Sequence, residues 1–215
     1  MKRLIVMLPF LVGLTFYAQS QKLVQKNLDV QGKKVEMKFN FADTIAIEAW
    51  DKNTVELQVS VNIDGNRYND YYELKVNNLG SSLILDEVVN FEAIQKKRGD
   101  NHNYQNEIIY KLKVPSNLEF SLNTISGQVE MKGTLGKMTV NSISGFIDYA
   151  VPQSCKAQID LSTVTGNVYS NLKFDEKSAK EISWVGTKRK LSLNGGTQDI
   201  ALKTVSGDIY LRKGR

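Results

Sequence analysis

Apolar and polar residues alternate with a period of two through much of this chain. The alternation is clear over 35–41, 54–61 and 108–114, and it is the pattern of half-buried β-strands. Two further segments, 71–76 and 82–85, are separated by Asn-Asn-Leu-Gly-Ser and predict a β-hairpin. Beyond a single turn over 175–181, no helix is predicted. The pattern therefore indicates an all-β protein.

The C-terminal half repeats one short motif four times. The motif has an apolar residue, a hydroxyl residue two positions later, a β-branched residue, Ser or Thr, Gly, and then Val or Ile two positions beyond. The copies are Leu122–Val129, Val140–Ile147, Leu161–Val168 and Leu202–Ile209. Their glycines lie 18, 21 and 41 residues apart, and 41 is about two periods of 20. A fixed period of this size is typical of solenoids.

We interpret each repeat as two short strands that meet at a corner. The sequence thus predicts a parallel β-helix, or β-solenoid, with coils of about 20 residues that stack in chain order. Glycine suits the corners because it adopts a positive φ easily. A degenerate coil at Gly186 fills the long interval, so the predicted corner glycines are Gly127, Gly145, Gly166, Gly186 and Gly207. Stacking predicts three inward columns, which are the apolar column Leu122, Val140, Leu161 and Leu202, the Val/Ile column Val129, Ile147, Val168 and Ile209, and the hydroxyl column Thr124, Ser142, Thr163 and Thr204.

The N-terminal residues predict export. Residues 1–18 have a short basic start, an eleven-residue apolar run and small residues near Ala18, which indicates a signal peptide cleaved at Ala18 or as late as residue 20. No transmembrane anchor is expected in the mature chain, which would lie in the periplasm or at the cell surface. We expect a single β-solenoid domain over 19–215. Its 22–115 portion would be irregular, with a polar insertion at 95–106, and 116–213 would hold the regular repeats.

Composition excludes several kinds of chemistry. The net charge of +5 falls to about +3 without Lys2 and Arg3, so nucleic-acid binding is not indicated. Cys155 is the only cysteine and is expected to be a buried or half-buried, unreactive thiol. His102 is the only histidine and falls in the polar insertion. One His and one Cys do not make a zinc site or a nucleophilic triad, and no metal or cofactor is expected.

Two segments of the chain resemble a known family. Trp50-Asp-Lys-Asn-Thr-Val55, and Tyr110-Lys-Leu-Lys-Val-Pro115 followed by the Ser-Gly repeats, are similar to the bacterial β-strand-repeat proteins known as putative adhesins. The resemblance runs from roughly Leu28 to Leu211. It implies an exported protein with a β-helix-like body, and the family has no catalytic motif that this chain would share.

A few surface residues are candidates for binding or catalysis. The tripeptide Arg98-Gly99-Asp100 matches a motif of some integrin ligands and lies in the expected loop. Tyr169 and Tyr210 occupy equivalent outward positions and would either stack on sugar rings or pack across strands. Carboxylates for a hydrolase or lyase would have to come from the set Asp148, Asp160, Asp199 and Asp208, for which solvated strand and turn positions are the simpler interpretation.

The sequence favours a non-enzymatic, exported β-solenoid of the cell envelope that acts as an adhesin or binding module. Its partner would be an envelope or surface ligand, either a glycan or a protein. A periplasmic structural or sensory scaffold that associates with itself or with a partner is the first alternative. A carbohydrate-active β-helix enzyme is the second.

Overall fold

A computed structural model describes residues 20–99, 105–175 and 186–214, and these residues form two β-sheets that face each other. The predicted signal peptide, Asp100 and His102 lie outside the described residues. The first half of the chain contains β1 Lys22–Asp29, β2 Lys34–Lys38, β3 Thr44–Trp50, β4 Thr54–Ile63, a 3₁₀ helix Asn69–Tyr71, β5 Tyr72–Leu79, β6 Ser82–Val89, α1 Phe91–Arg98 and β7 Asn106–Pro115. The second half contains β8 Phe120–Thr124, β9 Gln128–Lys132, β10 Met138–Ser144, β11 Ile147–Val151, β12 Ala157–Thr163, β13 Val168–Ser170, β14 Thr187–Leu193, β15 Gln198–Ser206 and β16 Ile209–Lys213.

Both sheets are mixed and open. Sheet A has the strand order β1-β4-β7-β3-β9-β11-β16-β13, and sheet B has the order β14-β12-β15-β10-β8-β2-β6-β5. The central pairs are parallel, whereas β1–β4, β4–β7, β5–β6 and β12–β14 are antiparallel. The all-β class and the predicted hairpin are confirmed. A single parallel β-helix is not confirmed, because both sheets also contain antiparallel strands.

The chain crosses repeatedly from sheet B to sheet A. We call each such passage a coil, and the coils are β2–β3, β6–β7, β8–β9, β10–β11, β12–β13 and β15–β16. The expected stacking in chain order is wrong at both ends. The final coil lies between the two that precede it, because β15 pairs with β10 on one side and β12 on the other. The first coil lies between the second and third, since β2 pairs with both β6 and β8.

The segment after Gly186 is not a degenerate coil. Thr187–Leu193 runs antiparallel to β12 along the outer edge of sheet B. A tight turn at Asn194 and Gly195, both at positive φ, then brings the chain to the opposite side of β12. The Asn194 side chain holds this turn by donating to the carbonyl oxygen of Cys155 at 2.8 Å. The antiparallel strand and its turn therefore place β15 inside the sheet.

The prediction of a polar insertion at 95–106 is wrong in part, because residues 95–98 belong to helix α1. The Asn90 side chain caps the helix by accepting from the Ala93 N–H at 3.0 Å. Gly99 ends it at a φ of 73°, with its N–H donating to the Gln95 carbonyl. Ile94 is fully buried, so the helix packs on the body of the protein.

The core lies between the sheets and is built from the inward positions of the coils. The predicted apolar column Leu122, Val140, Leu161 and Leu202 is fully buried, and so are the hydroxyl column and most of the Val/Ile column. The columns are confirmed in membership, but their spatial order follows the interleaved coils. Along the first column Leu202 comes between Val140 and Leu161.

Candidate functional site

The corner between a sheet-B strand and the next sheet-A strand shows why the repeat contains a hydroxyl residue. Thr163 Oγ1 accepts from the Gly166 N–H at 3.0 Å and donates to the Gly207 carbonyl oxygen at 2.9 Å. Thr124 accepts from the Gly127 N–H at 3.2 Å in the same way. These buried hydroxyls satisfy backbone groups that the turning chain leaves without ladder partners.

The repeat glycines stack on one another in the interleaved order. Gly145 has a φ of 127°, as expected for a corner, but no positive φ occurs at Gly127, Gly166 or Gly207. At Gly207 the reason for glycine is close approach, because an added Cβ would overlap the carbonyl oxygen of Gly145 on the adjacent coil. Gly166 stands against Gly207 in the same manner. These glycines thus set the spacing between coils.

The β-branched residue of each repeat lies on the surface. These four side chains, which we call the corner ridge, are 41–53% exposed and comprise Ile125, Ile143, Val205 and Val164 in spatial order. At the usual strand spacing the ridge is about 14 Å long. A contiguous row of exposed apolar side chains is typical of a contact surface. The recurrence of this position in the repeat is visible in the sequence, whereas its exposure is a finding of the structure.

Tyr169 and Tyr210 lie side by side on the outward face of sheet A. Their rings stack on each other with centroids 5.2 Å apart, and Phe146 meets Tyr210 edge-on. The Tyr210 hydroxyl donates to Asp208 at 3.1 Å, which raises the pKa of the tyrosine. Because each ring covers a face of the other, cross-strand packing accounts for the pair. Only one face of Tyr169, at the sheet edge, is turned away from its neighbour.

Arg98 and Gly99, the two described residues of the Arg98-Gly99-Asp100 motif, do not lie beside these tyrosines. Arg98 is the last residue of α1 and Gly99 is its C-cap, so the first two residues belong to a helix end rather than to an extended loop. Strand β7, which follows α1 along the chain, is four positions from β16 in sheet A. The two candidate groups are therefore separate surfaces.

The four candidate aspartates are divided between the two sheets. Asp148 and Asp208 lie on or beside sheet A, where Asp148 forms a two-point ion pair with Arg212 and Asp208 accepts from the Asn167 N–H. Asp160 and Asp199 are on neighbouring strands of sheet B. This arrangement does not gather the four carboxylates into one site.

One buried carboxylate was not predicted. Glu87 is enclosed between the sheets, where it accepts from the Phe41 N–H at 2.6 Å and from the Tyr110 hydroxyl at 3.0 Å. Tyr72 extends this network through its hydroxyl, 2.9 Å from that of Tyr110. Burial is the main cause that raises the pKa of Glu87 to about 7, and the nearby Asp43 and Asp86 add to it. Burial also raises the pKa of both tyrosines.

Other candidate chemistry is limited in the described part of the chain. Cys155 is buried, and its burial raises the pKa of the thiol. Among residues 20–99, 105–175 and 186–214, no group of three or more His, Cys, Asp or Glu side chains is placed to hold a metal ion. No helix in the same residues is long and apolar enough to cross a membrane.

These features define an all-β protein built from interleaved two-strand coils. Residues 116–212 match the family model described as Toastrack DUF4097. The match begins after β7 and covers the four repeats. No curated protein matches the chain in sequence.

The solved structures to which this chain is similar include bacterial proteins described as adhesion or lipid binding proteins. A putative cell adhesion protein from Clostridium sporogenes ATCC 15579 has a TM-score of 0.57 at 12% identity, covering 90% of this chain and 100% of that one. A putative lipid binding protein from Parabacteroides distasonis ATCC 8503 has a TM-score of 0.38 at 17% identity, covering 71% and 60%. A putative adhesin from Parabacteroides merdae ATCC 43184 has a TM-score of 0.29 at 16% identity, covering 69% of each chain. The first of these shows the shared fold, and the resemblance to bacterial putative adhesins is confirmed.

Proposed function

We propose that this protein is an exported, non-enzymatic binding module of the cell envelope that acts in adhesion. The observation that carries the proposal is the corner ridge, in which every repeat of the domain exposes the same apolar position. A repeated surface of this kind binds through many shallow contacts rather than through one pocket. The fold likeness to a protein described as a putative cell adhesion protein supports the same class of function.

Export is part of this proposal. It rests on the signal-peptide pattern of residues 1–18 and on the predicted cleavage at Ala18. Protease treatment of intact cells that carry an epitope-tagged protein tests the location. Cleavage while a periplasmic marker survives would support a surface adhesin. Full protection would instead favour the periplasmic scaffold, whose self-association light scattering would detect.

Adhesion itself is tested at the corner ridge. We expect the double variant Ile143→Ser, Val205→Ser to adhere less than the parent to its target cells or matrix. The matched control is Asn141→Ser, Lys203→Ser, which changes the outward positions two residues earlier on the same strands. Equal adhesion by the ridge variant and the parent, with unfolding midpoints unchanged, would show that the corner ridge takes no part in adhesion.

A further inference from the structure

A shallow groove crosses the outward face of sheet A. It is separate from the corner ridge, which lies at the ends of sheet B strands. We call it the sheet A groove, and its volume is about 470 Å³. It runs over six consecutive strands from β4 to β16. Five strand spacings make it about 24 Å long, a length that suits an extended chain rather than a single small molecule.

Two rows of outward side chains line the groove, as the strand registers show. The first row is Gln58, Lys111, Ala46, Glu130 and Asp148, and it continues in register to Tyr210, which lies beyond the lining of the groove. The second row is Glu56, Lys113, Glu48, Lys132, Ala150 and Arg212. The two alanines interrupt rows of otherwise long side chains, and they leave the space that forms the floor of the groove.

Six of the eight charged side chains in the groove pair with each other, as Glu56–Lys113, Glu48–Lys132 and Asp148–Arg212, and the other two are Lys111 and Glu130. Lys111 and Glu130 flank Ala46, and their Cα atoms are two strand spacings, about 10 Å, apart. Within the described residues neither side chain forms an ion pair or a side-chain hydrogen bond. A donor and an acceptor thus face each other across an open floor.

The charges of the groove identify the chemistry of its ligand. Its lining has four acidic and four basic side chains, so its net charge is zero. A polyanion such as nucleic acid or an acidic polysaccharide would need an excess of positive charge. An apolar chain would desolvate these ion pairs and would leave Lys111 and Glu130 without polar partners. Hydroxyl groups, by contrast, both donate and accept, and they match a surface that alternates ammonium and carboxylate groups.

The aromatic residues extend this surface at one end. Tyr210 belongs to the first row beside Asp148, and Tyr169 continues the row onto the edge strand. Within the described residues, the face of the Tyr169 ring that Tyr210 does not cover is suited to packing against the apolar face of a sugar ring.

We propose that the sheet A groove binds an extended segment of an uncharged polysaccharide across the strands. The inference names a ligand class for the binding module proposed above and rests on that function. Individual contacts are exposed to solvent and weak, so useful affinity comes from many sites on a polymer.

Affinity electrophoresis of the mature protein in gels that contain a neutral polysaccharide tests the proposal. Dextran, xylan and a β-glucan serve as neutral polymers, with alginate as the acidic comparison. We expect retardation by at least one neutral polymer that changes little with salt, because a neutral polymer makes no charge–charge contacts that salt could screen. Retardation by alginate alone, or by none of these polymers, would overturn the proposal.

The variant Ala46→Tyr tests the assignment to this groove. Tyrosine is well tolerated on an outward strand position and fills the floor between Lys111 and Glu130. Binding should weaken about tenfold or more, since several charge-assisted hydrogen bonds are lost together. The matched control is Ala201→Tyr, the same change on the outward face of sheet B. Equal effects of the two variants, or an effect of the control alone, would contradict the assignment.

A second variant tests the charges of the groove without filling its floor. Lys111→Gln combined with Glu130→Gln keeps the size of the side chains and should weaken binding a few-fold, because neutral hydrogen bonds are about half as strong as charge-assisted ones. Unchanged binding would count against these residues.

If intact protein adheres to cells but the polymers do not retard it, the groove inference fails and the adhesion proposal stands. If the polymers bind but the cells are not recognised, the adhesion proposal fails instead.

Discussion

Thr163 donates a hydrogen bond to the carbonyl oxygen of Gly207 at 2.9 Å, across 44 residues of sequence. The contact joins the last coil of the chain to the coil of β12 and β13, and it repeats at the next corner, where Thr204 reaches the Gly145 carbonyl oxygen. It shows how a side chain within the repeat connects neighbouring coils whatever their order in the sequence.

We expect Thr163→Val to destabilise the protein by about 1–3 kcal/mol. The change keeps the shape of the side chain but leaves the Gly166 N–H and the Gly207 carbonyl without this partner in a buried corner. Urea unfolding measures the difference. Thr163→Ser, which keeps the hydroxyl, should recover most of the loss, and Ser162→Ala on the outward face is the control. A Val variant as stable as the parent would contradict the bridging role.

The interleaved order of the coils makes a prediction about cross-linking. Ser162 and Lys203 are register neighbours on β12 and β15, about 4.8 Å apart at Cα. Cysteines at these two positions should form a disulfide under mild oxidation, because the spacing lies in the usual range. Cysteines at Asn141 and Ser162 should not, since β15 separates their strands. The opposite result, read from gel mobility and mass, would restore stacking in chain order.

Close approach of the corners predicts a large effect at Gly207. We expect Gly207→Ala to cost at least about 2 kcal/mol, because its methyl group would overlap the Gly145 carbonyl oxygen and force the coils apart. Thermal and urea unfolding measure the loss. Ser206→Ala, an exposed neighbour on the same corner, should change stability by less than about 0.5 kcal/mol. Similar stability of the two variants would show that the corner accommodates the added methyl group without moving the coils apart.

Much of the fold could be predicted because the strand and coil signals are local. Alternation with a period of two shows which residues of each coil face inward, and the repeat aligns those residues between coils. The order of the coils could not be predicted, because every coil presents nearly the same column residues to its neighbours. At the C-terminal end that order depends on β14 and the turn at Asn194 and Gly195, and at the N-terminal end it depends on the pairing of β2 with both β6 and β8. Helix α1 was missed since its basic last turn resembles a loop, although Asn90 and Gly99 are recognisable caps.

The candidate surfaces were predictable to different degrees. The repeat placed Tyr169 and Tyr210 at equivalent positions, and they are neighbours in sheet A. The sheet A groove combines strands from both halves of the chain, so no local pattern could have revealed it. Glu87 had a usable signal, because it follows Leu83 and Leu85 at the inward positions of β6. A carboxylate at an inward position of an alternating strand therefore indicates a buried polar network.

The stability of the protein should depend on the ionisation of Glu87. Its pKa is near 4.5 in the unfolded chain and about 7 in the folded protein, where burial and the neighbouring Asp43 and Asp86 oppose its charge. As far as it depends on Glu87, the free energy of unfolding of the protein is therefore greatest below pH 4.5, where this carboxyl group is protonated in both the folded and the unfolded state. It falls as the pH rises from about 4.5 to 7, by up to about 3 kcal/mol.

Glu87→Gln removes this titration while keeping a side chain that can accept from the Phe41 N–H. We expect the variant to gain stability over the parent as the pH rises from 5 to 8, and to match it or fall slightly below it at pH 5. Melting temperatures across this range measure the effect. Glu119→Gln is the control, because that carboxylate is partly exposed at the surface and its pKa is lowered by a hydrogen bond from Lys34. A constant difference between Glu87→Gln and the parent from pH 5 to 8 would show that Glu87 does not titrate in this window.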